Sequence, residues 1–141
     1  MLLEVRCGAT TVWEHWGGEG VPGVGLLDHG MNSFNHYSFG SQFLWVLEHA
    51  VGVTPTSPGY DTIRVAPLPP SSAVPIKAAT VTIETQRGRI RSGWEITEAA
   101  DGRRHLTLTV EIPPNVKAEV VVPGGGTHTV GSGTYTFAAI L

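Results

Sequence analysis

From residue 62 onward the chain alternates apolar and polar residues with a period of two, and no other feature limits its fold as tightly. In HLTLTVEI, residues 105–112, Leu106, Leu108, Val110 and Ile112 fall on one side and Thr107, Thr109 and Glu111 on the other. ATVTIET repeats the pattern with Ala79, Val81 and Ile83, and RIRSGWEI does so with Ile90, Trp94 and Ile96. Successive side chains of a strand point to opposite faces, so each run describes a strand with one buried side. Asp101-Gly102 is a strong tight-turn signal between two of the runs, and Arg87-Gly88 is a weaker one. KAEVVVP and GTYTFAAI supply two more strands. Short strands joined by tight turns predict an antiparallel β-sandwich over residues 54–141, large enough for its own core. The composition agrees: 18 glycines and 10 prolines with only 15% charged residues favour turns and short strands over a helical bundle.

Residues 1–53 read differently. They hold three of the four tryptophans and four of the six histidines. The boundary is VGVTPTSPGYD, residues 51–61, where Gly52 and Pro55 stop a helix and Pro58-Gly59 turns the chain. Before it, NSFNHYSFGSQFLWVLEHAVG predicts a helix with Asn32 or Ser33 as its N-cap. Phe39, Phe43, Val46, Leu47 and Ala50 form its apolar stripe, and Trp45 falls off that stripe. A helix apolar on more than one side needs several packing neighbours, and a small sheet beside it offers too few.

Charge and cysteine usage exclude several classes. Net charge is −3, and the densest basic cluster, RGRIR at 87–91, alternates with Gly and Ile as the solvated face of a hairpin does. Nucleic acid is therefore not an expected partner. A single Cys7 forms no internal disulfide and no CxxC pair builds a zinc site. No apolar run suits a signal peptide or a bilayer, so the sequence as written implies a cytoplasmic protein with no membrane partner.

Two apparent motifs fail on physical grounds. GEGVPG, residues 18–23, matches GxGxxG letter for letter, yet a phosphate-binding loop must open a helix. Pro22, Gly23, Gly25 and Gly30 make a helix there implausible, and the segment reads as a surface loop. GGG at 124–126 lacks the Lys-Ser/Thr of a P-loop and reads as a turn. The six histidines show neither i,i+4 pairing nor HExxH, so no metal and no cofactor are expected.

One constellation points to chemistry. GATTVWEHWGGEG, residues 8–20, sets Glu14 between Trp13 and Trp16, and His36 follows downstream. Aromatic burial disfavours an ionised carboxylate and moves its pKa toward the range useful for proton transfer. Aromatic faces also pack on the C–H faces of sugar rings, while His or Asn supplies directed hydrogen bonds to hydroxyls. The bland reading stays open on spacing alone: Trp13 and Trp16 as core anchors with Glu14 merely exposed.

GATTVWEHW, then DHGMNSFNHYSFGSQFLWVLEHAVGV, then PGYDTIRVAPLPP, in that order and spacing, resemble the α-L-rhamnosidases of glycoside hydrolase family 78. ATVTIETQRGRIRSGWEI, VEIPPNVKAEVVVP and SGTYTF are similar to that family's C-terminal β-sandwich, so the resemblance covers nearly the whole chain. It implies a mainly β chain: residues 1–53 as the terminal segment of an (α/α)6 glycosidase barrel, and residues 54–141 as the C-terminal β-sandwich domain. It further implies an inverting hydrolase that removes terminal α-L-rhamnose from glycosides with two carboxyl groups. Glu14 matches the family's general base and His36 a histidine that binds the sugar. Trp13 and Trp16 become pocket walls, and Asn32 and Asn35 are candidates for shaping the site.

The family's general acid belongs to a segment that this sequence does not contain, and Glu4, Glu19 and Asp28 lack its surrounding pattern. The expectation is therefore the C-terminal portion of a rhamnosidase, carrying the base without the acid and inactive by itself. Its partner would be a rhamnose-containing glycoside in the complete enzyme, with self-association through an exposed helix at 33–51. The alternative is a non-catalytic carbohydrate-binding or structural β-sandwich module.

Overall fold

The computed structural model describes residues 2–14, 32–69, 71, 73 and 76–141. They divide into two compact units, Met1–Leu44 and Trp45–Leu141.

The larger unit contains eight strands: β1 (Val53–Pro55), β2 (Thr62–Val65), β3 (Ala78–Thr85), β4 (Gly88–Glu98), β5 (Arg104–Ile112), β6 (Lys117–Val122), β7 (Gly126–Val130) and β8 (Gly133–Ile140). They form two four-stranded sheets, ordered β1-β2-β6-β7 and β3-β4-β5-β8. The second sheet is antiparallel throughout, and its register explains the alternation. Ala79, Trp94, Leu108 and Phe137 lie in one cross-strand row, and Val81, Ser92, Val110 and Tyr135 in the next. Each row faces the first sheet, which contributes Val53, Ile63, Val65, Ala118, Val120 and Val122 to the shared core. Leu106, Leu108, Val110, Ile90, Val65 and Val120 are wholly excluded from solvent. This is the predicted sandwich, with one ladder of the other kind. β2 pairs with β6 in parallel, Ile63 opposite Ala118 and Val65 opposite Val120. A parallel pair needs a long crossover, and here the chain builds β3, β4 and β5 in the other sheet before returning.

The helical approach to this sandwich changes its hydrogen bonding along its length. Residues Tyr37–Ser41 form a 3₁₀ turn, Gln42–Trp45 an α turn, and Val46–Ala50 a π turn closed by the Val51 N–H donating to the Val46 carbonyl at 3.0 Å. The expected start at Asn32 or Ser33 is corrected to Tyr37. His36 precedes the first turn with non-helical φ −89° and ψ 82°, and no side chain caps it. Ser33 lies three residues ahead of the cap position, with its N–H donating to Glu14 Oε2 and its carbonyl accepting the Glu14 N–H. Gly52 ends the helical run at φ +82°, the left-handed conformation favoured just past a helix. Its carbonyl then accepts the Ala66 N–H at 2.8 Å. Phe43, Leu44 and Trp45 expose more than half of their surface, 55%, 55% and 59%. Among the described residues no helix is long and apolar enough to cross a membrane.

The smaller unit opens with a short helix, Leu2–Arg6, whose exit is closed by the Gly8 N–H on the Val5 carbonyl and the Ala9 N–H on the Glu4 carbonyl. Glu4 is buried, as is Asn32. The next stretch, residues 11–14, carries the candidate chemistry.

Candidate functional site

Two stretches lie side by side in the smaller unit, residues 11–14 and residues 33–36, the second turning at 34–35. The His36 N–H donates to the Val12 carbonyl at 2.8 Å, and the Glu14 N–H donates to the Ser33 carbonyl at 2.8 Å. The Thr11 hydroxyl adds a bond to the Phe34 carbonyl. Between the stretches, the Trp13 ring meets Phe34 edge-on at 5.1 Å and 87°, the geometry that aromatic quadrupoles prefer. These bonds align segments separated by some twenty positions in sequence, so that Glu14 and His36 share one locality.

The Glu14 carboxylate is held by one oxygen. Oε2 accepts the Ser33 backbone N–H at 3.0 Å and lies 3.8 Å from His36 Nδ1. Neither interaction uses Oε1. Side-chain exposure is 37% for Glu14 and 30% for His36, which leaves both groups reachable from solvent and screens the pair. The imidazole also packs on Phe39, with ring centroids 4.7 Å apart and planes tilted by 54°. The arrangement can present a carboxylate oxygen as a proton acceptor beside an imidazole able to donate or accept a hydrogen bond.

Of the residues singled out in sequence, the structure brings Glu14, His36 and Trp13 together. Trp13 takes part through its packing on Phe34 and through its backbone amide. Trp16 lies outside the described residues, as do His15, the GEGVPG loop, Asp28 and His29. Asn32 is buried at the start of the second stretch, and Asn35 is exposed.

Sequence reasoning missed one participant. Glu4 is only 4% exposed, and its Oε1 accepts the Trp13 N–H at 2.7 Å. A lone glutamate in a five-residue helix carries no sequence signal that separates it from a solvated one.

A cavity of about 440 Å³ lies elsewhere, on the outer face of the second sheet, where Gly93 leaves a gap between Thr80, Arg91, Glu95 and Thr109. Glu14 and His36 take no part in it. Size alone would favour it as a ligand site, but its floor is a row of threonines and a glycine, with no proton-transfer pair.

Residues 1–50 match the bacterial alpha-L-rhamnosidase 6 hairpin glycosidase domain, and residues 52–137 match the bacterial alpha-L-rhamnosidase C-terminal domain. An alpha-L-rhamnosidase of Formosa agariphila is 37% identical over 122 residues, covering 86% of this chain and 12% of that protein. The crystal structure of the native rhamnosidase from Aspergillus terreus superposes with a TM-score of 0.77 at 31% identity, over 98% of this chain and 15% of that one. The Streptomyces avermitilis alpha-L-rhamnosidase complexed with L-rhamnose gives 0.76 at 28%, over 97% of this chain and 14% of that one. The chain thus spans 12% of the length of its Formosa relative. With both of its segments matched to successive domains of the same enzymes, this chain belongs to the bacterial α-L-rhamnosidase family.

Proposed function

We propose that this chain works as part of an inverting α-L-rhamnosidase, in which Glu14 is the general base and His36 binds a hydroxyl of the terminal rhamnose. The observation that carries the reading is the Glu14 carboxylate, anchored through Oε2 by the Ser33 amide and facing His36 Nδ1 at 3.8 Å. An anchored carboxylate keeps its free oxygen aimed at one place, as a base that must meet a single water requires. In the proposed step Glu14 takes a proton from water while the water oxygen attacks the anomeric carbon. The glycosidic bond breaks on the opposite side, and a second carboxylic acid protonates the leaving oxygen. In this reading Trp13 is a wall of the sugar pocket, and Trp16, which lies outside the described residues, takes the same role by its place in the sequence. The second acid lies outside these 141 residues, so the isolated chain does not turn over substrate; general acid catalysis alone is worth about 10²–10⁴-fold.

The test joins this chain to the upstream barrel of a rhamnosidase relative and assays an aryl α-L-rhamnoside. Glu14→Gln should lower kcat by at least about 10²-fold, whereas His36→Ala should act chiefly on KM. An unchanged kcat in Glu14→Gln rejects the base assignment. Turnover by the isolated chain that vanishes in Glu14→Gln would overturn the claim of inactivity and require a second carboxylate from another copy.

A further inference from the structure

Glu4 is a buried carboxylate that the proposed chemistry does not use. Burying a carboxylate is costly unless hydrogen bonds hold it, and this one, 4% exposed, accepts the Trp13 N–H at 2.7 Å, the short distance of a charge-assisted bond. The Trp13 N–H and the Val12 carbonyl belong to the same planar peptide unit. That carbonyl accepts the His36 N–H at 2.8 Å. One peptide plane is therefore gripped from both sides, by Glu4 through its hydrogen and by His36 through its oxygen. The next peptide donates the Glu14 N–H to the Ser33 carbonyl at 2.8 Å. Two successive fixed planes set the backbone at Trp13 and so place the Glu14 nitrogen and Cα, from which the side chain reaches the Ser33 N–H through Oε2 at 3.0 Å. Glu4 is itself tied locally, since its carbonyl accepts the Ala9 N–H at 2.9 Å.

We propose that Glu4 is a positioning residue for this site, clamping the Val12–Trp13 peptide so that Glu14 meets His36. The inference rests on the Glu14–His36 pair being the site, and not on which proton Glu14 moves. It predicts that the acceptor oxygen matters more than the charge, because a neutral amide carbonyl can take the same N–H.

The experiment uses the 141-residue chain and the nuclear magnetic resonance signals of the His36 ring. In the parent chain, Glu14→Gln should shift those signals, because the carboxylate lies 3.8 Å from Nδ1. The same substitution is then made in Glu4→Gln and in Glu4→Met, which has similar length and no oxygen. Glu4→Gln should keep more than about half of the shift, and Glu4→Met should lose most of it, the non-additivity expected of coupled residues. Amide exchange at Trp13 should accelerate in Glu4→Met and not in Glu4→Gln. A purely structural Glu4 would lower the unfolding midpoint while leaving the His36 response intact in Glu4→Met, and that result overturns the proposal. Should Glu4→Met fail to fold, Glu4→Gln decides: a retained response supports the clamp and a lost one rejects it. The kinetic test of Glu14 as base can fail without touching this result, since the ring signals report geometry alone.

Discussion

The indole N–H of Trp94 donates to the carbonyl oxygen of Ala50 at 2.7 Å. Two residues earlier on the same strand, the buried Ser92 hydroxyl donates to the Val51 carbonyl at 3.1 Å. The last carbonyls of a helix have no partner within it, and here β4 of the sandwich supplies side-chain donors to two of them in succession. This also explains why a polar Ser92 occupies an inward position in a row of apolar residues. Trp94→Phe should keep most of the packing but orphan the Ala50 carbonyl, at a loss of about 1–3 kcal/mol in urea denaturation. An unchanged midpoint would mean that water replaces the indole.

At Gly52 the chain has no room for a side chain. A Cβ there would run into the backbone of Ala66 and Pro67, at φ +82°. Gly52→Ala should therefore destabilise by more than the roughly 1 kcal/mol of an ordinary Gly-to-Ala strain, because backbone, unlike a flexible side-chain tip, cannot move aside. The control is Gly102→Ala, where φ is +81° with open space around it. The difference between the two midpoints measures the collision apart from the strain.

Leu108 and Thr109 are neighbours on β5 with opposite fates, the first fully buried and the second exposed. Leu108→Ala should cost about 2–5 kcal/mol, and Thr109→Ala should stay within about 0.5 kcal/mol. Equal losses would contradict the assigned faces of the second sheet.

In the β4–β5 turn, Arg103 holds Asp101 from two sides. Its guanidinium donates to Oδ2 at 2.6 Å and its backbone N–H to Oδ1 at 3.1 Å. The Arg103 side chain first, and its amide second, keep the Asp101 carboxyl below the ordinary value of 3.8. A carboxyl lowered in the folded state adds stability that is present above its unfolded pKa and is lost as pH falls through the folded one. The stability difference between the protein and Asp101→Asn should thus be constant near neutrality and shrink in acid, below about pH 4. Carboxyl titration followed by resonance should show Arg103→Ala returning Asp101 toward its ordinary value.

Phe43, Leu44 and Trp45 each expose more than half of their surface, and we propose that the segment 33–51 mediates self-association of the isolated chain. Scattering at rising concentration should give a mass above 15.0 kDa, reduced by Phe43→Ser with Trp45→Ser. A monodisperse monomer at every concentration rejects the proposal.

Strands β3, β4, β5, β6 and β8 were legible because each is long enough for the period of two to repeat several times. β1 has three residues, too few for a period to register. β7 reads GTHTV and is largely exposed, so it lacks the apolar half of the alternation and passes for part of a glycine-rich turn. The helix was legible in its apolar spacing but not at its start. Asn32 or Ser33 as cap follows local preference, whereas the chain turns at residues 34–35 before the first helical turn begins at Tyr37.

Residue order alone determined which side of each long strand is apolar, where the chain must turn, and that Glu14 stands among aromatic neighbours. Those are properties of adjacent residues and of fixed backbone geometry. Only the tertiary structure decided that β2 lies parallel to β6, that Trp94 reaches the Ala50 carbonyl, and that Glu4 grips the Val12–Trp13 peptide. Each of these joins atoms far apart along the chain. Such pairings depend on closing loops and satisfying buried polar groups together, a condition that no short window of sequence contains.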